Sequence, residues 1–263
     1  MKSQTKKLKE QIQPLQYIDE RLNVLKNQYK GETAYIIAAG PSLNNFSVNQ
    51  LKDKLKDKLV FCIKQSYHTY RDICDFHFVN FTNLSPYKWN DTSIVSWTYW
   101  FQQHPVTIQQ NKWAADLLYP IFRNGNIPDK MSQSIMAKRD FENLMFDKTL
   151  ERPWGPGIIF ELAIPTAVHL GVKKIVTIGW DIGDINLWKN KNDENERHFV
   201  EHFYSDETHL YDKFTMDAEE IITVTESVPH LAKYLETRGI EFNIISDRNP
   251  VSQDVKRINL DSI

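Results

Sequence analysis

Glycine, proline and serine follow one another at Gly40-Pro41-Ser42, where the apolar run "AYIIAAG" stops and a polar, helix-like stretch begins. Glycine lets the backbone approach a ligand, Pro41 fixes φ, and the N–H groups of a helix starting just beyond would favour an anion such as a phosphate. The same residues also suit a plain strand-to-helix turn, and the pattern is neither a P-loop nor a G-x-G-x-x-G. Asn80 ends another apolar run, with a donor and an acceptor for a sugar hydroxyl or a base edge, or for an Asx-turn. Asp181, in Gly179-Trp180-Asp181, follows a third, where a carboxylate could bind ribose hydroxyls, act as a base, hold a metal or cap the next turn. "DIGD" lacks the D-x-D spacing of a divalent-metal clamp on a diphosphate.

His198, His202 and His209 lie together in "RHFVEHFYSDETH". His198 and His202 would share one helix face, but without the Glu of H-E-x-x-H or a neighbouring Cys the pair gives no zinc signature, and no metal site is expected. A histidine in a segment that closes over substrate is instead a suitable general base near neutral pH. Lys64, Lys138, Arg139 and Arg152 are cations that could neutralise a phosphate or a carboxylate. Trp97, Tyr99, Trp100, Phe101 and Trp154 could stack on a base or sugar, or fill a core. Arg152 and Trp154 are the substrate-binding candidates, and Lys64 joins Gly40, Pro41, Ser42, Asn80 and Asp181 as candidates for the nucleotide and its phosphates.

The elements that must position these groups follow from periodicity. Leu15, Ile18, Leu22 and Leu25 recur at helical steps, so residues 5–30 are predicted to be a helix flanking the fold. Short apolar runs at 33–39, 59–64, 75–80 and 92–97 predict buried strands, and "NNFSVNQLKDKLKDK" predicts a helix after the first. Residues 157–170 predict a helix kinked at Pro165 and stopped by Gly171; "KKIVTIG", a helix ending at Arg-Gly, and "IEFNIIS" complete the pattern. Alternation of this kind predicts an α/β, Rossmann-like, mostly parallel sheet with helices on both faces and a small lid or insertion. Residues 1–30 would form the flanking helix and 31–263 the nucleotide-binding domain, with insertions at 98–153 and 182–214. Ligands of such sheets sit at the carboxyl ends of the strands, here the turns after residues 39, 64, 80 and 179.

Composition excludes several classes. The 263 residues are 41% hydrophobic and 25% charged with a net charge of −2, so there is no global basic field for nucleic acid and no disordered composition. Cys62 and Cys74 are too few for a disulfide framework and are read as reduced core thiols of a cytoplasmic protein. No signal peptide or spanning helix is expected; peripheral membrane contact and a homo-oligomer are left open.

Taken together, "YIIAAGPSL", the strand-end "VNF", "PGIIFELAIPTAVHLGVKKIVTIGWDIG" and the late histidine-bearing segment resemble the bacterial sialyltransferases of glycosyltransferase family forty-two. They are also similar to that family's wider relatives, the flagellin-associated and 6-hydroxymethylpterin diphosphokinase-like proteins, which share the G-P-S-L turn and the G-x-D strand end. The resemblance covers residues 33 to 247. It implies a Rossmann-like domain with a lid, and metal-independent, inverting transfer of an acidic sugar from a CMP-linked donor to a glycan acceptor. It also implies phosphate contacts at Gly40, Pro41 and Ser42, a nucleotide-sugar contact at Asn80, and a lid base at His209 or, second, His202. Ala39 and Lys64 stand where those enzymes carry Asn, and Lys64 suggests a different activated donor. Two alternatives remain: a Mg²⁺-dependent transfer of pyrophosphate from ATP with Asp181 and Asp184 as ligands, or a non-catalytic nucleotide- or glycan-binding module.

Overall fold

The computed structural model describes residues 1–16, 18–79, 87–100, 115–121, 158–182, 198–199, 215–216 and 218–263. Among them the strands are β1 (Thr33–Ile37), β2 (Leu59–Ile63), β3 (Phe76–Val79), β4 (Ile94–Trp100), β5 (Leu117–Ile121), β6 (Lys174–Ile178), β7 (His198–Phe199), β8 (Thr215–Met216) and β9 (Glu241–Ile245). The helices are α1 (Lys2–Ile12), α2 (Ile18–Leu25), α3 (Val48–Leu55), α4 (Ser66–Tyr70), α5 (Ile164–His169) and α6 (Ala218–Thr237). Seven strands form one sheet in the order β5-β4-β3-β2-β1-β6-β9, with every pairing parallel. β7, inside the segment expected to be an insertion, and β8, just beyond its end at residue 214, form a separate antiparallel pair.

Parallel strands are joined by crossovers that lay helices on both faces, so their residues are apolar in both directions. One face, carrying Ala34, Ile36, Phe61, Ile63, Phe76 and Phe78, packs under α1, α2, the segment Ile158–His169 and the helix Ala218–Thr237. The other, carrying Tyr35, Ile37, Val60 and Cys62, packs under Leu51 and Leu55 of α3 and Tyr67 and Tyr70 of α4. The doubly covered parallel sheet is the α/β fold expected from the alternation. Cys62 and Cys74 are free and buried. No described helix is long and apolar enough to cross a membrane.

Local chemistry shifts several element boundaries. Residues 5–30 form two helices rather than one, because Pro14 supplies no N–H to continue the ladder, so α1 ends at Ile12 with Gln13 as its cap. Arg21 fills the break: its guanidinium donates to the carbonyls of Gln13 at 3.1 Å, Leu15 at 2.7 Å and Asp116 at 2.6 Å. The turn after β1 runs through a 3-10 turn, Pro41–Asn45, before α3 begins. Its cap is Ser47, whose Oγ accepts from Gln50 N at 3.1 Å. Ahead of Pro165 the chain widens into a π-helical turn, Ile159–Ala163, which accommodates the missing proline N–H. Gly171, at φ +80°, ends that helix as expected. β4 reaches Trp100, and Leu117–Ile121 is a sheet strand inside the stretch read as an insertion.

The amino edge of the sheet is closed by paired carboxylates. Asp75 and Val60 exchange backbone and side-chain bonds: Asp75 N donates to Val60 O at 2.8 Å, and Val60 N to Asp75 Oδ2 at 3.0 Å. Asp116 and Val95 repeat the exchange at 2.9 and 2.8 Å. α1 supplies the counter-charges, Lys2 Nζ at 2.9 Å from Asp75 and Lys9 Nζ at 3.1 Å from Asp116. The lysines are seven residues apart, about 10.5 Å along a helix. β3 and β5 are two strand spacings apart, about 9.5 Å. α1 therefore spans the strand ends in register with alternate strands.

Removing the Asp75 carboxylate strips the Val60 N–H of its side-chain acceptor, takes one from the Thr5 hydroxyl that donates to it at 2.6 Å, and leaves Lys2 only its bond to the Ile73 carbonyl among the described residues. Asp75→Ala is expected to cost about 3–5 kcal/mol of stability, measured by urea unfolding. A loss below about 1 kcal/mol would show that the edge is held by other contacts.

Candidate functional site

The chain builds outward from β1 through β2, β3 and β4 to β5, then returns to the other side of β1 to lay down β6 and β9. Strand order therefore reverses between β1 and β6, and the crevice beyond their carboxyl ends is where such a sheet opens to a ligand. Gly40-Pro41-Ser42 leaves β1 at this point and Gly179-Trp180-Asp181 leaves β6. The two ends stay zipped past the strands, with Ala38 N donating to Ile178 O and Gly40 N to Gly179 O, both at 2.8 Å.

Asp181 ties three strand ends together. Its Oδ2 accepts from Ser42 N at 2.8 Å, and its Oδ1 accepts from Ser42 Oγ at 2.6 Å and Ser246 Oγ at 2.5 Å. Ser42 is 1% exposed and Asp181 7% exposed, so this is a largely dry contact in which each bond counts. Gly40 is required by the close approach: a Cβ there would lie 2.4 Å from Asp181 Oδ2 and 2.5 Å from Gly179 O. The anion at the start of the 3-10 turn is thus the protein's own carboxylate, which holds both the amide and the hydroxyl of Ser42. Three of its roughly four acceptor positions are filled. Ile182, next in the chain, is a β-branched residue at φ +60°, a conformation that stores strain.

The neighbouring end, that of β2, is also built from unusual backbone. Lys64 adopts φ +48° with its N–H donating to Phe78 O at 2.8 Å. Its carbonyl lies 2.9 Å from His77 Nε2, and Trp89 Nε1 donates to His77 Nδ1 at 2.9 Å. A carbonyl can only accept and an indole N–H can only donate, so His77 is the neutral tautomer protonated at Nε2. Its ring stacks on Tyr67 at 4.1 Å. Burial is the main cause that pulls the His77 pKa down to about 3, against the hydrogen bond it donates to Lys64 O, which raises it. Ser66 knits β2 to β1, its Oγ accepting from Ile63 N and lying 2.9 Å from Ile37 O.

Of the residues singled out by sequence, the structure brings Gly40, Pro41 and Ser42 together with Asp181 and sets Lys64 at the adjacent strand end. Asn80, Lys138, Arg139, Arg152, Trp154, Asp184, His202 and His209 lie outside the described residues. Ser246 and His77 were not anticipated. Ser246 directly follows β9 as Ser42 and Asp181 follow β1 and β6, so the strand-end rule applied to the last strand would have found it. His77 gave no such signal, being one polar residue in an apolar run. Among the described residues no group of three His, Cys, Asp or Glu side chains could hold a metal ion.

Fold and site together define a doubly wound α/β protein whose switch-point crevice lies between β1 and β6. No protein-family model matches the chain, and no curated protein matches it in sequence. A solved structure that is similar to it is the MAf glycosyltransferase from Magnetospirillum magneticum AMB-1, at 11% identity and a TM-score of 0.46, over 94% of this chain and 39% of that one. The chain thus spans about two fifths of that protein's length, and a likeness of this degree bears on neither chemistry nor ligand.

Two outcomes follow from the geometry. Gly40→Ala forces apart Asp181 and the Gly179 carbonyl and is expected to cost about 2–3 kcal/mol in urea unfolding; a neutral substitution would contradict the packing. His77 stays neutral when folded down to a pH of about 3, whereas the unfolded chain takes up its proton near 6.5. Its contribution is full above pH 6.5 and is lost as pH falls, by roughly 2 kcal/mol at pH 5. In His77→Gln the fall in stability between pH 6.5 and 5 should be smaller by that amount.

Proposed function

We propose that the chain is a glycosyltransferase-like enzyme that takes a sugar, an acidic one by first preference, from a nucleotide-activated donor. The observation that carries this reading is the coincidence of the strand-order reversal with the two motif-bearing ends, Gly40-Pro41-Ser42 and Gly179-Trp180-Asp181. The donor lies across the β1/β6 crevice with its acceptor glycan beyond. Asp181 is already spent on Ser42 and Ser246, so its main role is to clasp the turn; its remaining acceptor position suits a ribose hydroxyl. Asn80 reads the nucleotide sugar. Lys64, one strand over, meets the charge of the departing phosphate in place of a divalent ion. Arg152 and Trp154 contact the transferred sugar.

In the transfer step the acceptor oxygen attacks the anomeric carbon as the bond from that carbon to the phosphate oxygen breaks. The electron pair leaves with the phosphate and the acceptor's proton passes to a histidine, His209 first and His202 second. A panel of CMP- and UDP-sugars tests this by hydrolysis and thermal shift. One donor at a hundred times its Kd should raise Tm by about 5 °C or more and be hydrolysed slowly. His209→Ala should cut turnover by about 10²–10⁴ while leaving donor binding intact. If no donor is turned over and none shifts Tm, the assignment is wrong.

A further inference from the structure

We infer that Lys64 is a functional cation kept at the carboxyl end of β2 to pair with an oxyanion of the ligand, and that His77 and Trp89 are its positioning residues. The ligand's location rests on the function proposed above; the rest stands on the backbone. Among the described residues three that are not glycine have positive φ: Asn27 at 59°, Lys64 at 48° and Ile182 at 60°. Asn27 belongs to a residue type that tolerates this region, and it lies in the turn leading to β1. Lys64 and Ile182 do not share that tolerance, and both sit at carboxyl ends of strands flanking or forming the switch point. Glycine would suit either position, as Gly179 does at φ +71° where the chain leaves β6. A lysine held where glycine is more comfortable implies that the side chain is needed.

The support around Lys64 is built to impose that conformation. Its N–H is fixed on Phe78 O and its carbonyl on His77 Nε2, and His77 is in turn locked by Trp89 Nε1 and by the Tyr67 ring. Both imidazole nitrogens are consumed, so His77 is available neither as a base nor as a ligand; one bond holds the Lys64 carbonyl and the other fixes the ring that makes it. Lys64 itself is half-buried. Beside it Gln65 is 4% exposed, and among the described residues its Oε1 has no hydrogen-bond partner.

The test separates charge from backbone. Lys64→Gly removes both the strain and the ammonium, whereas Lys64→Met removes only the ammonium. Tm, and binding by titration calorimetry, are measured with four probes: CMP, UDP, inorganic pyrophosphate and N-acetylneuraminic acid. The nucleotides and pyrophosphate report a phosphate site, and the acid sugar a carboxylate site. Lys64→Gly is expected to melt at or above the wild-type temperature, by up to about 4 °C. Both variants should bind the preferred anion about tenfold or more weakly. His77→Gln should weaken that binding at least about twofold in the Lys64 protein and have no further effect in the Lys64→Gly background. An equal effect of His77→Gln in both backgrounds would make His77 merely structural and overturn its positioning role. If nucleotides bind and both Lys64 variants bind them as wild type does, this inference falls and the donor assignment stands. If only pyrophosphate or the acid sugar binds, dependent on Lys64, the inference stands and the nucleotide donor falls. If the wild type binds none of the four, both fall.

Discussion

The carboxylate of Asp181 is the contact on which the carboxyl edge depends. Three strands that are far apart in sequence end within reach of one side chain, and it accepts from an amide of the first, a hydroxyl of the same residue and a hydroxyl of the last. Without it, the turn after β1 would present unpaired donors in a nearly dry setting. With it, Gly40 can have no side chain, Leu43 is pressed against Gly179, and the path of the chain out of β6 is set. This interaction fixes one wall of the crevice between β1 and β6.

Both edges of the sheet are thus closed by buried aspartates, but differently. At the amino edge Asp75 and Asp116 each clasp the backbone N–H of an adjacent strand and carry a lysine from α1, so the charge is neutralised within the protein. At the carboxyl edge Asp181 accepts from a backbone amide and two hydroxyls, and Lys64, at the adjacent strand end, sits on a backbone that is strained. The amino edge is arranged for cohesion. The carboxyl edge keeps unusual conformations after β2 and β6, at Lys64 and Ile182.

Much of this architecture is legible in the chain. Buried parallel strands are short, continuous apolar runs, and β1, β2, β3, β6 and β9 lie where those runs lie. β5 escaped because "LLYPI" sits among aromatics and prolines that match no single period, and because Pro120 argues against a strand by its missing N–H. Pro14 divides the first helix, a local signal outweighed in the reading by the regular leucine stripe around it. Gly40, Ser42 and Asp181 were each visible as strand-end residues with chemistry. Their bond to one another was not, since nothing local relates positions 139 residues apart. The left-handed backbone of Lys64 was equally hidden, because a lysine gives no local indication of that conformation and the groups that impose it arrive from β3 and beyond.

The register between α1 and the strand ends has a consequence for how the chain can vary. Lys2 and Lys9 reach carboxylates on β3 and β5 because two helical turns match the width of two strands. One residue inserted between them would swing the second ammonium about 100° around the helix and carry it off its partner. The opening dozen residues look, by their polar makeup, like a segment free to drift in length; they act instead as a gauge cut to the pitch of the sheet.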